Sequence, residues 1–305
     1  MLTISHKAKQ LLVLLIKLLI VVCAFYFIYD QLANNNKLNW VLFSEKFNKN
    51  KSVLGISFLL LLSVLNRFFE ILKWQNLVSY LHKTSLFDAT KQVLGALTAG
   101  LFTPNGIGEY AGKALFFEKS QTKKIIFLNL ICNGAQVIVS VLFGIIGLLY
   151  LGYYKWVLII VGSVTGILIL LFALKKINMK GFSIEILLQE ISKISKYIYY
   201  KNNYLAICRY LVLSHQYYFL FLAFDVQLPY FTLMAAIASV YFLASSLPTF
   251  QFLDFAVKGS VALYFFGILG VNEWIVVFIS TIIWFLNLVL PAVIGSYFVL
   301  AFKHK

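Results

Sequence analysis

Residues 93–108 read Val-Leu-Gly-Ala-Leu-Thr-Ala-Gly-Leu-Phe-Thr-Pro-Asn-Gly-Ile-Gly, an apolar run that stops on a cluster of breakers. Val93 to Thr103 is too short to cross a bilayer, which takes about 20 helical residues. Pro104-Asn105-Gly106-Ile107-Gly108 turns the chain, and Glu109 to Phe117 resumes a helical pattern that ends in charge. The stretch predicts a re-entrant element. Irregular backbone at membrane depth is tolerated only where protein buries it or where it lines a wet cavity.

The rest of the chain supplies the membrane setting. Of its 305 residues 61% are hydrophobic, 17% aromatic and 12% charged, against about 25% charged in a soluble domain. Apolar stretches at 11–29, 53–72, 125–151, 156–174, 204–224, 230–247 and 274–301 read as crossings, with a short helix over 255–269 as an eighth. The first lacks a small-residue cleavage site and reads as an uncleaved anchor. Residues 181–200 differ: Ile184, Leu187, Leu188, Ile191, Ile194 and Ile198 recur at helical spacing opposite a polar face, which predicts an interfacial amphipathic helix. The expected fold is an all-α polytopic membrane protein of about eight crossings. Re-entrant or broken elements lie near 93–108 and 248–258, and 181–200 joins two halves, about 1–174 and 203–305.

Formal net charge is +15, and topology accounts for it better than nucleic acid does. With the N-terminus inside, 17 of the 26 Lys and Arg fall on the cytoplasmic side, which predicts both termini cytoplasmic in the cell membrane. Cys23, Cys132 and Cys208 lie in apolar runs without paired spacing.

The two breaks carry one pattern. Glu109-Tyr110-Ala111-Gly112-Lys113 and Asp254-Phe255-Ala256-Val257-Lys258 share acid, aromatic, Ala, any residue, Lys, each after a proline, Pro104 or Pro248. A charge at the centre of a membrane helix costs about 2.5–3.5 kcal/mol, whereas an i,i+4 acid–Lys pair returns only about 0.2–0.5 kcal/mol in water. Two placements fit each pair: around a shared polar cavity, or hydrated at the cytoplasmic interface. The cavity placement makes Pro104, Gly106, Gly108, Glu109, Lys113, Pro248, Asp254 and Lys258 candidate substrate-binding residues. Helix N-termini beyond the breaks would favour phosphate and the carboxylates an amine.

Secondary candidates are Arg67, Glu70 and Lys73, whose i,i+3 spacing reads as a second charged cluster or, more readily, an inner-interface anchor beside Trp74, and Arg209, read as snorkelling. Asn129, Asn133 and Gln136 form one polar stripe, glue or cavity wall, and His215 with Gln216 is polar lining or a helix-to-helix hydrogen bond.

These features resemble the lysylphosphatidylglycerol synthase/flippase transmembrane-domain family. The likeness lies in Asn66-Arg67-Phe68-Phe69-Glu70-Ile71-Leu72-Lys73-Trp74, the run Thr103 to Glu109, and Leu247-Pro248 followed by an acid and Gly270-Val271. It covers nearly the whole chain and implies a helical bundle with two re-entrant elements that moves an aminoacylated phospholipid between leaflets, without the soluble synthase domain. Three departures bear on the lipid. Pro104-Asn105-Gly106-Ile107-Gly108-Glu109 lacks the basic residue of the family's Pro-Gly-Arg-x-Gly-Glu type loop, uncharged Asn129, Asn133 and Gln136 replace a charged pattern, and Thr249 to Asp254 replaces a glycine-rich stretch.

The expected function is flippase-like handling of a phospholipid or lipid-linked head group, with membrane lipids as partners and no cofactor. A membrane-embedded lipid-modifying transferase and a non-transporting partner of an envelope-building complex are the alternatives. Against the enzyme stand the missing carboxylate cluster and nucleotide loop, and histidines scattered at 6, 82, 215 and 304.

Overall fold

A computed structural model describes residues 52–101, 103, 106–174, 184–247 and 249–301, with single positions at 15, 26 and 45. The expected anchor at 11–29, Pro104 and Pro248 lie outside the described residues. Those described form helices and connecting turns: α1 Val53–Val78, α2 Leu86–Gly100, α3 Ile107–Ala114, α4 Thr122–Tyr150, α5 Tyr154–Ala173, α6 Ile184–Lys193, α7 Lys196–Ala223, α8 Tyr230–Ser246, α9 Asp254–Ile268, α10 Glu273–Trp284 and α11 Leu290–Leu300. A single π-helical turn, Phe285–Val289, joins α10 to α11.

Five helical segments are long and apolar enough to cross a membrane: Val53–Val78, Lys119–Tyr150, Tyr154–Ala173, Lys196–Ala223 and Glu273–Leu300. They mark a membrane protein. The side chains of Leu158, Ile169 and Phe172 on α5 are exposed, as suits a lipid environment. α8 is apolar but short, 17 residues, or about 25 Å at 1.5 Å per residue.

Caps fix several helix starts. Ser85 accepts from the Asp88 amide at 3.0 Å while its hydroxyl donates to the Asp88 carboxylate at 2.7 Å, a reciprocal cap. Asn272 accepts from the amides of Trp274 and Ile275. The expected amphipathic helix is interrupted: α6 ends at Lys193 and α7 starts at Lys196. Ile194 between them is buried with Ile71, Trp74 and Val78, and insertion of that side chain into the core bends the chain away from one continuous surface helix.

α1 and α7 run antiparallel, joined by Phe58 on Phe219 and by Asn76 donating to the Ile198 carbonyl. Two helix–break–helix hairpins pack on the remaining long segments. α2 descends α11, with Phe87 against Phe298 and the Thr98 hydroxyl donating to the Ala292 carbonyl at 2.9 Å. α8 descends α4, with Tyr150 beside Thr232, Gly147 against Ala235 and Gly144 against Phe242. A methyl group at Gly144 or Gly147 would collide with that neighbour, so these glycines set the close approach. Each hairpin therefore turns back near the middle of the long segment beside it.

The hairpins enter from opposite ends. α2 begins beside the C-terminal end of α11, whereas α8 begins beside the C-terminal end of α4, where Tyr153 also meets Phe265. Their tips touch: the Phe252 amide donates to the Leu101 carbonyl, and the Gln251 side chain lies against Gly106.

Candidate functional site

Gly106 caps α3 with a left-handed φ of 66°, and a side chain there would overlap Gln251. Glycine is thus required twice, by conformation and by space. The Gly108 amide donates to the Thr103 hydroxyl at 2.8 Å and the Glu109 amide to the Gly106 carbonyl at 2.9 Å. A Cβ at Gly108 would strike the Ala99 carbonyl oxygen. The phosphate-binding helix N-terminus expected here is therefore occupied by the protein's own acceptors and pressed against α2.

The charged pair one turn on is sealed. Lys113 Nζ lies 2.9 Å from Glu109 Oε1 and is 0% exposed. It donates to Asn129 Oδ1 at 2.6 Å and sits 4.5 Å from the centre of the Trp74 ring. Trp74 is held by donating to Gln92 at 2.7 Å. The pair is packed inside the protein, and neither member is among the residues lining the cavity at the second break.

A second set of charges lies between α1, α4 and α7. Glu70 contacts Lys73 at 3.2 Å and Arg209 at 2.8 Å. Gln136 Oε1 accepts from both cations, at 3.5 and 3.4 Å. Glu70 also accepts from the Cys132 thiol and interacts electrostatically with Lys113, which joins the two sets. The interface-anchor reading of Arg67, Glu70 and Lys73 is corrected, because Glu70 and Lys73 are buried. So is the snorkelling Arg209: a carboxylate on a neighbouring helix holds it inside.

The network continues through amides. Arg209 Nε donates to Asn66 at 3.1 Å, Asn66 donates to Asn287 at 2.6 Å, and Asn287 donates to Gln216 at 2.8 Å. Gln216 ends it on Ser63 and the Leu59 carbonyl, the helix-to-helix bond foreseen for that segment. Arg67 donates to the Asn287 carbonyl. That carbonyl is free because Pro291, four residues on, has no N–H to give it, and the π turn carries the helix past the vacancy.

At the second hairpin Asp254 and Lys258 pair across one turn of α9, 21% and 25% exposed. They line a cavity of about 410 Å³ with Ser245, Ser246, Thr249 and Gln251. Tyr241 joins this cavity to α7, since Lys258 lies over its ring and Tyr210 packs on its edge. Among the other candidates, Asn133 donates to Tyr110 at 3.3 Å near the first pair. His215 stands apart, bonded to the Leu211 carbonyl and Tyr230.

Sequence reasoning missed Asn66, Asn287, Gln251 and the role of Cys132 as spacer. A proline four residues after an asparagine inside an apolar span was the available signal for Asn287; Asn66 and Gln251 fell inside quoted segments without being singled out. A larger cavity of about 990 Å³ opens where α2 begins and α11 ends, lined by Lys83, Lys91, Lys119, Phe87, Phe117 and Phe298. There the Ser85 hydroxyl, with a smaller contribution from Lys91, holds the Asp88 carboxyl below its ordinary value. Among the described residues no group of three or more His, Cys, Asp or Glu could hold a metal ion. Neither a protein-family model nor a curated protein matches the chain.

Proposed function

We propose that this protein is a flippase-like lipid transporter that takes the head group of a phospholipid or lipid-linked substrate into its polar interior. One observation carries the reading: six ionisable side chains, with Glu70, Lys73 and Lys113 buried and Arg67, Glu109 and Arg209 partly buried, form a network beside the point where two helix–break–helix hairpins meet. Burying so many charges costs several kcal/mol per ion before pairing offsets it, and opposed broken helices are how membrane transporters build a substrate site near the midplane. The likeness to the lysylphosphatidylglycerol synthase/flippase transmembrane family supports the same reading.

The topology belongs to the proposal. α8 and α9 form a re-entrant hairpin from the outer face and α2 and α3 one from the cytoplasmic face. Counting the 11–29 anchor there are six full crossings rather than eight, and both termini remain cytoplasmic. α1–α4 and α7–α11 are then inverted halves, and Asp254–Lys258 is the open counterpart of the sealed Glu109–Lys113.

Reconstitution tests this. Purified protein in liposomes should move a head-group-labelled lipid between leaflets without converting it, and Asp254→Ala and Lys258→Ala should slow that movement with little loss of folded protein. Product formation would favour the transferase, and unchanged movement in both variants would remove Asp254 and Lys258 from the site.

A further inference from the structure

The network, in which Lys73, Lys113 and Glu70 are buried and Arg67, Arg209 and Glu109 are partly buried, is not electrically balanced. Four cations, Arg67, Lys73, Lys113 and Arg209, face two carboxylates, Glu70 and Glu109, an excess of two positive charges. Asp254 and Lys258 neutralise one another beside it. Unpaired ions are costly away from water, and the surplus cations are surrounded by amides, which carry no charge.

Donors are in surplus as well. Asn129 is fully buried; its oxygen is taken by Lys113, while its Nδ2 finds no acceptor. Arg67 Nε is likewise buried without a partner. Buried N–H groups normally find acceptors. Unmet positive charge and unmet N–H donors together match the chemistry of an anion with several acceptor oxygens, a phosphate.

We propose that this site receives the phosphate of an anionic lipid, a head group of about two negative charges such as a phosphomonoester, and that it disfavours an aminoacylated, cationic one. The proposal names the substrate class of the transport reading and rests on it. Glu70 and Glu109 occupy the cations when lipid is absent, and the phosphate displaces them as it enters. The uncharged residues at 129, 133 and 136 fit this: acids there would cancel the surplus.

The test is thermal unfolding of the detergent-purified full chain with phosphatidic acid, phosphatidylcholine, lysylphosphatidylglycerol or inorganic phosphate. Phosphatidic acid should raise the midpoint most, and lysylphosphatidylglycerol should do no better than phosphatidylcholine. Asn129→Asp should raise the lipid-free midpoint, by giving Lys113 a second carboxylate, and should need about tenfold more phosphatidic acid for the same shift, which corresponds to about 1.4 kcal/mol. Equal or greater stabilisation by lysylphosphatidylglycerol, or an unaltered response of Asn129→Asp, would overturn the proposal. A shift from inorganic phosphate matching that from phosphatidic acid would uphold the anion site and assign it to free phosphate. Selective binding without lipid movement in liposomes would end the transport reading alone, and movement indifferent to head-group charge would end this inference alone.

Discussion

Lys113 shows how much one side chain depends on its company. Its ammonium has a carboxylate, an amide oxygen and an indole face around it and no water. Removing one member of a buried ion pair costs about 3–5 kcal/mol, because the survivor is left charged and dry. Lys113→Ala should therefore destabilise the protein by about that amount, and Lys113→Ala with Glu109→Ala should recover most of the loss, as measured by unfolding in detergent. Additive losses would mean that the two do not act as a pair. The i,i+4 spacing made this pair legible in the sequence. Glu70 was misread at the same scale because its i,i+3 neighbours, Arg67 and Lys73, are compatible with a hydrated interface. Its decisive partner, Arg209, comes from another helix, and no local pattern announces a contact so distant in the chain.

At the scale of elements, the short helices α2, α3 and α9 were legible because breakers bracket them, whereas continuity across an apolar run hid other events. Residues 274–301 read as one span, yet the π turn within it frees the Asn287 carbonyl for Arg67. Pro291→Ala should return an N–H to that carbonyl. Since proline inside a helix costs about 3 kcal/mol relative to alanine, the variant should unfold at the same temperature or higher, yet transport more slowly as Arg67 loses its acceptor. Transport at the wild-type rate would show that the π turn has no part in the site. The break at 194–195 was hidden for a related reason: Ile194 keeps the helical period while packing into the core, and periodicity registers a face, not a bend.

For the whole molecule, the number of crossings follows from where the two breaks meet. Eight crossings would carry residues 247–250 through to the cytoplasm, but the tip of the second hairpin bonds to Leu101, at the tip of the first. On the proposed topology the two hairpins enter from opposite faces and meet at their tips before either completes the crossing. That contact was not legible beforehand, because length and hydropathy do not separate a 17-residue crossing helix from one that stops partway. Cysteine labelling in oriented vesicles separates the arrangements. Lys83→Cys and Ser120→Cys should react with an impermeant maleimide from the cytoplasmic face and Gln227→Cys from the outer face. Thr249→Cys, buried at the cavity, should react slowly from either side, and faster when an added lipid shifts which hairpin is open. Rapid cytoplasmic labelling of Thr249→Cys at the rate of Lys83→Cys would restore eight crossings, break the inverted relation of the halves and separate the Asp254–Lys258 pair from the Glu109–Lys113 pair in function.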